Sequence, residues 1–302
     1  MANFCISSGG NTGKPSCDLK DIVPIGVIPS PKKAIIPADT TDLKTFLQER
    51  FMENNKINRW YPMFDNLTIT NNSEDAVIAT LAGGYSEKLR NGNAIYQFDY
   101  PFALCKSKAI NQFDGWTGGI FLVSKEGRIV GRKQSNGDLA ALVPVSVYTS
   151  GGALGDGQNK NVTSLTVNFG DSGLLLNVID VTDKIEDFDA EEMTGIIDLQ
   201  LVPAGTSAGT VDVKIQTKCD GVNLFDVYGS KFEDAAVWKA VKKSDGTNVS
   251  VTSVTMQGDT QLYRLAFTAG AGEIRLSLAD LNTLKTAGIE GYESNTIAVT
   301  IL

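Results

Sequence analysis

The 302-residue sequence contains no histidine. That absence removes the commonest general base, the Ser-His and Cys-His nucleophile pairs, and the commonest transition-metal ligand. Long apolar runs are also missing, and none approaches the roughly 20 residues that cross a bilayer as a helix. The start, Met1-Ala-Asn-Phe-Cys-Ile-Ser-Ser-Gly-Gly, has neither the basic region nor the apolar core of a signal peptide, so synthesis in the cytosol is expected. Basic charge is scarce, with 27 Lys and Arg against 35 Asp and Glu and a net charge of −8. This balance repels phosphate backbones, and the short basic pieces Lys32-Lys33 and Lys239 with Lys242-Lys243 do not offset it, so no direct nucleic-acid binding is expected. The four cysteines, Cys5, Cys17, Cys105 and Cys219, form no C-x-x-C pair and are too sparse for a disulfide scaffold. They read as reduced, small hydrophobic side chains, with a Cys5–Cys17 bridge as the sharper alternative.

What is present is β-pattern. Residues 195–302 carry short apolar runs at regular spacing: Ile196 to Val202, Val211 to Ile215, Leu224 to Tyr228, Ala236 to Val241, Val249 to Met256, Leu262 to Phe267, Ile274 to Leu278 and Ile297 to Leu302. Turn pieces such as Ser244-Asp245-Gly246 and Gly258-Asp259 separate them. Alternation in Val211-Asp212-Val213-Lys214-Ile215 buries one face and wets the other, and about eight such strands fit an immunoglobulin-like β-sandwich.

The length suggests about two domains. Residues 1–40 hold Pro15, Pro24, Pro29, Pro31 and Pro37, a density that excludes helix and central strand and leaves an extended arm. The arm carries aliphatic beads, Ile22, Val23, Ile25, Val27, Ile28, Ile35 and Ile36, which pack either on their own domain or on a neighbouring subunit. Residues 41–182 read as a β-rich α+β domain with one helix. Asp39-Thr40-Thr41 offer N-caps and Leu43, Phe46, Leu47, Phe51 and Met52 form its apolar stripe. Strands follow at Leu67 to Thr70, Ala76 to Leu81, Ala94 to Tyr100, Ile120 to Ser124, Arg128 to Arg132, Leu139 to Tyr148, Val162 to Phe169 and Leu174 to Val181. Gly151 to Asn159 marks a loop. Residues 183–194 form an acidic linker, and between Asp180 and Glu192 there are seven carboxylates and one lysine.

No motif nominates a catalytic, cofactor or metal site. Gly9-Gly10-Asn11-Thr12-Gly13-Lys14-Pro15-Ser16 fails as a P-loop, since only three residues separate Gly9 from Gly13 and Pro15 sits where a hydroxyl belongs. The acidic stretch lacks the spacing of a calcium loop and reads as a solvated linker. Aromatic residues from Trp60 to Trp116 could form a sugar platform, but the alternation Tyr96-x-Phe98-x-Tyr100-x-Phe102 suits one buried sheet face. A pair of carboxylates acting on glycosides has no local signature.

Taken together, the Cys-containing start, the helix followed by a β-rich domain, and the terminal sandwich ending at Leu302 resemble virion structural proteins of tailed bacteriophages, closest in style to phages of Bacteroides-type hosts including the crAss-like group. The resemblance implies a non-enzymatic subunit of a tail tube, tail ring or head accessory. Such a subunit would bind copies of itself and other virion proteins, use no cofactor or membrane, and display the sandwich. The alternative is a carbohydrate-binding or host-adhesion module that uses Trp60 or Trp116 on a host-surface glycan.

Overall fold

The computed structural model describes residues 24–101, 103–150, 162–182, 185, 189, 192–193, 195–268 and 272–301. Strands make up 47% of the protein and helices 17%, so the fold is mostly β, as the alternation implies. The chain divides into two compact units, Met1–Phe51 with Asn55–Thr194, and Met52–Asn54 with Gly195–Leu302.

The first unit contains β1 (Pro24–Ser30), β2 (Ile35–Ile36), α1 (Leu43–Phe51), β3 (Thr68–Asn71), β4 (Val77–Thr80), β5 (Ser86–Arg90), β6 (Asn93–Pro101), α2 (Leu104–Ile110), β7 (Gly119–Ser124), β8 (Ile129–Lys133), β9 (Leu139–Ala140), β10 (Ser146–Ser150), β11 (Val162–Asp171), α3 (Ser172–Val178) and β12 (Ile179–Val181). One sheet runs β1-β7-β8-β9-β2 with β12 added on β8, a second runs β10-β11-β6-β3, and β4 pairs with β5 alone.

Strand β7 explains how the unit is layered. All six of its residues are buried. Because successive side chains point to opposite faces, Ile120 and Leu122 enter a core shared with Phe98, Tyr100, Leu165 and Val167 of the second sheet. Phe121 and Val123 enter another core, built with Leu47 and Phe51 of α1 and with Trp60. A continuous apolar run is what a strand covered on both faces requires. Helix α1 starts one residue later than the cap candidates suggest. Asp42 is the capping residue, its Oδ1 accepting from the Thr45 amide at 2.9 Å.

Four expectations need correction in this unit. The run Leu174 to Val181 is not one strand, because β11 ends at Asp171 and the helical turns of α3 precede β12. Asp171 then caps α3, accepting from the Gly173 and Leu174 amides at 2.8 and 2.9 Å. The run Leu139 to Tyr148 is split by Pro144 into β9 and β10. The acidic stretch is not a free linker, since Ile185 and Met193 are buried in the α1 core and Lys44 meets Glu192 at 2.7 Å. Helices α2 and α3 add to the single helix expected.

The second unit contains β13 (Ile197–Ser207), β14 (Thr210–Thr217), α4 (Phe225–Tyr228), β15 (Trp238–Lys242), β16 (Asn248–Val249), β17 (Val251–Gln257), β18 (Leu262–Phe267), β19 (Gly272–Leu278), α5 (Leu281–Thr286), β20 (Tyr292–Ser294) and β21 (Ile297–Ile301). Its two sheets, β17-β18-β14-β13-β20 and β16-β15-β19-β21, share one core that includes Val211, Val213, Tyr263 and Leu265 from the first and Trp238, Ile274, Leu276 and Val299 from the second. This is a two-sheet sandwich. It departs from the expected immunoglobulin-like pattern in the parallel pairing of β13 with β20 and in its helical turns. Leu224 to Tyr228 is helical rather than strand because Asn223 Oδ1 takes the Phe225 amide at 3.1 Å and starts the turn. Trp238 is buried with its Nε1 satisfied by the Phe232 carbonyl at 2.8 Å.

Candidate assembly surface

The proline-rich arm is held by its own unit from Pro24 onward. Strand β1 lies at a sheet edge, where proline is tolerated, and pairs antiparallel with β7 from Pro24↔Ser124 to Ser30↔Gly119. Its outer side is occupied as well. Val27 and Met63 exchange amide-to-carbonyl bonds at 3.2 and 3.0 Å, and the Pro29 carbonyl accepts from Tyr61 at 2.9 Å. Val27 and Ile28 are fully buried, facing opposite cores, and Ile36 is buried beside them. Ile25 is half-buried, Ile35 is exposed, and Ile22 and Val23 lie outside the described residues. Of the two packings open to these candidate intersubunit residues, Val27, Ile28 and Ile36 take the first: their side chains are buried in their own domain.

Exposed apolar side chains among the described residues gather elsewhere, notably on the β4–β5 hairpin. Every residue of β5 is exposed, and so are three of the four in β4. The register is Ile78↔Lys88, Ala79↔Glu87 and Thr80↔Ser86. Directly opposed residues share a face in an antiparallel pair, and faces alternate along each strand. Ile78, Thr80, Ser86 and Lys88 therefore occupy one face. Val77, Ala79 and Leu81, with Tyr85, Glu87 and Arg90, occupy the other, and the register shift between Val77↔Arg90 and Ile78↔Lys88 leaves Leu89 as the extra residue of a bulge. Tyr85 is 76% exposed and Leu89 62%. Gly83 and Gly84, at φ +102° and +83°, turn the chain between the strands.

The root of this hairpin is fastened firmly while its far end is bare. At Gly92 a side chain would run into the Glu74 carbonyl, so only glycine fits. The Glu74 amide donates to the Asn93 carbonyl at 2.9 Å, and the Ser172 amide donates to the Gly92 carbonyl at 2.9 Å. Asn91 Nδ2 donates to Asp171 Oδ1 at 2.7 Å, tying the root to the start of α3. The Leu174 amide, then the Asn91 side chain, hold the Asp171 carboxyl below its ordinary range.

A second apolar patch lies on α3. Leu174 and Leu176 are 67% and 70% exposed, and Val178 is exposed one turn beyond Leu174. Val178 and Asn177 border a shallow groove of about 500 Å³ whose other walls are Arg132, Lys133, Gln134 and Ser135.

The aromatic residues considered as a sugar platform are mostly interior. Trp60 is buried and stacks on Phe121 at 4.9 Å between centroids, so it offers no face to a ligand. Trp116 is half-buried, packed edge-on with Tyr61 and Phe113, and donates from Nε1 to the Gly119 carbonyl at 3.2 Å. Tyr100 is sealed in the core, where desolvation pushes its hydroxyl well above the usual range. On the opposite, polar face of the second sheet, burial raises the Asp99 carboxyl. Bonds from Ser164, Gln97 and Thr68 outweigh that and hold it ionised. This network stitches β3, β6 and β11 together.

Among the described residues no group of three or more Cys, Asp or Glu could hold a metal ion, and no helix is long and apolar enough to cross a membrane. The P-loop-like stretch and the glycine-rich loop after Ser150 lie outside the described residues. Cys105 and Cys219 are disulfide-bonded, which corrects the reading of them as reduced thiols; Cys5 and Cys17 lie outside the described residues. No protein-family model matches the chain, and no curated protein matches it in sequence. Sequence reasoning placed Ala76 to Leu81 in a strand but missed β5 and the hairpin's bare face. The signal was there in the apolar Leu81 and Tyr85 on either side of Gly83-Gly84.

Proposed function

We propose that this protein is a non-enzymatic structural subunit of a tailed-phage virion, a tail-tube, tail-ring or head-auxiliary component that associates with copies of itself and displays its terminal sandwich. The observation that carries the assembly half of this reading is the β4–β5 hairpin. An isolated two-stranded ribbon is marginal in water, and this one leaves Leu81, Tyr85 and Leu89 exposed among the described residues. An exposed strand pair with an apolar face is a template for another chain, and natural proteins otherwise blunt such edges. Burying that face in a symmetric assembly removes the liability. The virion setting rests on the resemblance described above, together with the lack of histidine and of any clustered metal-binding residues among those described.

Sedimentation of the purified chain, with electron microscopy of the product, tests the reading. A ring, tube or other closed oligomer forming at micromolar concentration supports it. A chain that stays monomeric at all concentrations and is absent from purified particles contradicts it.

A further inference from the structure

We infer that β3 pairs antiparallel with β3 of a second copy of this chain, an inference that rests on the self-assembly reading above and adds a second surface to it. Strands β3 and β10 are the two edges of one sheet, and they are finished differently. On β10 the outward backbone groups are occupied. The Val147 carbonyl accepts from the Gly115 amide at 3.0 Å, and the Thr149 amide donates to Asp114 Oδ1 at 3.0 Å. On β3 they are bare. The Asn72 and Glu74 amides donate to the Ile95 and Asn93 carbonyls of β6, so the even-numbered residues turn their backbone toward β6. Alternation then turns the amides and carbonyls of Ile69 and Asn71 outward, where they meet no partner among the described residues.

Natural proteins close such an edge with a charge, a proline or a bulge. Residues 66–73, Asn-Leu-Thr-Ile-Thr-Asn-Asn-Ser, hold no charge and no proline, and the β3–β6 register runs without a shift. The occupant that this edge fits is itself. A two-fold axis beside Thr70 sets Ile69 of each copy opposite Asn71 of the other, and each such pair exchanges both amide-to-carbonyl bonds. Thr70 then faces Thr70 of the other copy in the closer, non-hydrogen-bonded position, a favourable cross-strand pair on the exposed polar face. No like charges oppose each other along the uncharged stretch. The contact uses the same strand on both copies and joins two four-stranded sheets into one.

The test places charge on the axis of the full chain. Thr70→Lys and Thr70→Glu each set like charges directly opposite one another, and each should weaken self-association about fivefold in sedimentation velocity. An equimolar mixture of the two variants sets lysine opposite glutamate and should associate at least as tightly as the native chain. Thr70 is exposed, so both variants retain the fold, which thermal melting of dilute protein checks. Variants that assemble like the native chain, or that weaken without rescue on mixing, would overturn the β3 pairing and leave self-assembly standing. A native chain that never associates would overturn both.

Discussion

The Leu81 amide donates to the Tyr85 carbonyl at 2.7 Å, closing a turn whose two flanking side chains are 49% and 76% exposed. A backbone this well closed, carrying side chains this poorly covered, is what the proposed assembly reading takes as its docking element. The rest of the first unit supports it. The root is locked at Gly92 and Asn91, so the hairpin is presented rather than tethered loosely. Preorganisation of this kind lowers the ordering cost of association.

Replacing Tyr85 and Leu89 together by serine should therefore separate assembly from folding. Truncating a central apolar anchor typically costs an interface about 2 kcal/mol or more, so self-association should weaken by at least about 100-fold for the pair. The same changes fall on bare surface and should move the monomer's stability by about 0.5 kcal/mol or less. Sedimentation equilibrium and thermal melting of the double variant provide the two readings. A variant that assembles normally, or that unfolds, speaks against a dedicated docking face.

Phe121→Ala addresses the two-faced sheet. Phe121 is fully buried and stacked on Trp60, between β7 and α1. Its loss should destabilise the first unit by about 3–5 kcal/mol, measured by chemical denaturation. Trp60 fluorescence should shift to the red as its environment opens. A loss under about 1 kcal/mol would mean that the α1 core is not packed as described.

The Asp171 cap gives a signed pH dependence. Its carboxyl is held below the ordinary value of 3.8, first by the Leu174 amide and then by Asn91. A depressed pKa in the folded state contributes stability that is fully present above 3.8 and is lost as pH falls through the folded value. Asp171→Ala should therefore lower the melting temperature at pH 7, and the gap to the native chain should shrink at strongly acid pH. Asp171→Asn keeps an oxygen facing the Gly173 and Leu174 amides and should lie nearer the native chain at pH 7. An Ala variant whose deficit is the same at both pH values would contradict the ionised cap.

Cys105 and Cys219 provide a chemical check. Both are disulfide-bonded, so under denaturing conditions without reductant neither should be alkylated by iodoacetamide. Both should label after reduction, as read by peptide mass spectrometry. Labelling of either in unreduced, air-oxidised protein would contradict the linkage.

Much of this fold is legible in the chain because burial imposes a period. Ile120 to Ser124 and Leu262 to Phe267 sit in β7 and β18 almost residue for residue, their apolar patterns being set by packing on both faces and on one. Short apolar runs defeat the same logic. Leu224 to Tyr228 and Leu174 to Val178 are too brief for periodicity to separate strand from helix, and the deciding groups are the turn-forming Asn223 and the capping Asp171. The proline-rich arm misleads in the other direction. Its aliphatic residues suggest an outside partner, yet an edge position lets Pro24 and Pro29 sit within β1 while Val27 and Ile28 fill two cores. The hairpin was only half visible. Period two shows that a face is apolar but not whether the chain itself covers it, and β5, with its charged Glu87, Lys88 and Arg90, hides the pattern further.

Hydrogen–deuterium exchange of the full chain across its association range tests the central claim most directly, read at the amides of residues 77–90. These amides should exchange quickly in dilute protein and become protected as oligomers form. Oligomers that form while residues 77–90 stay unprotected would contradict it.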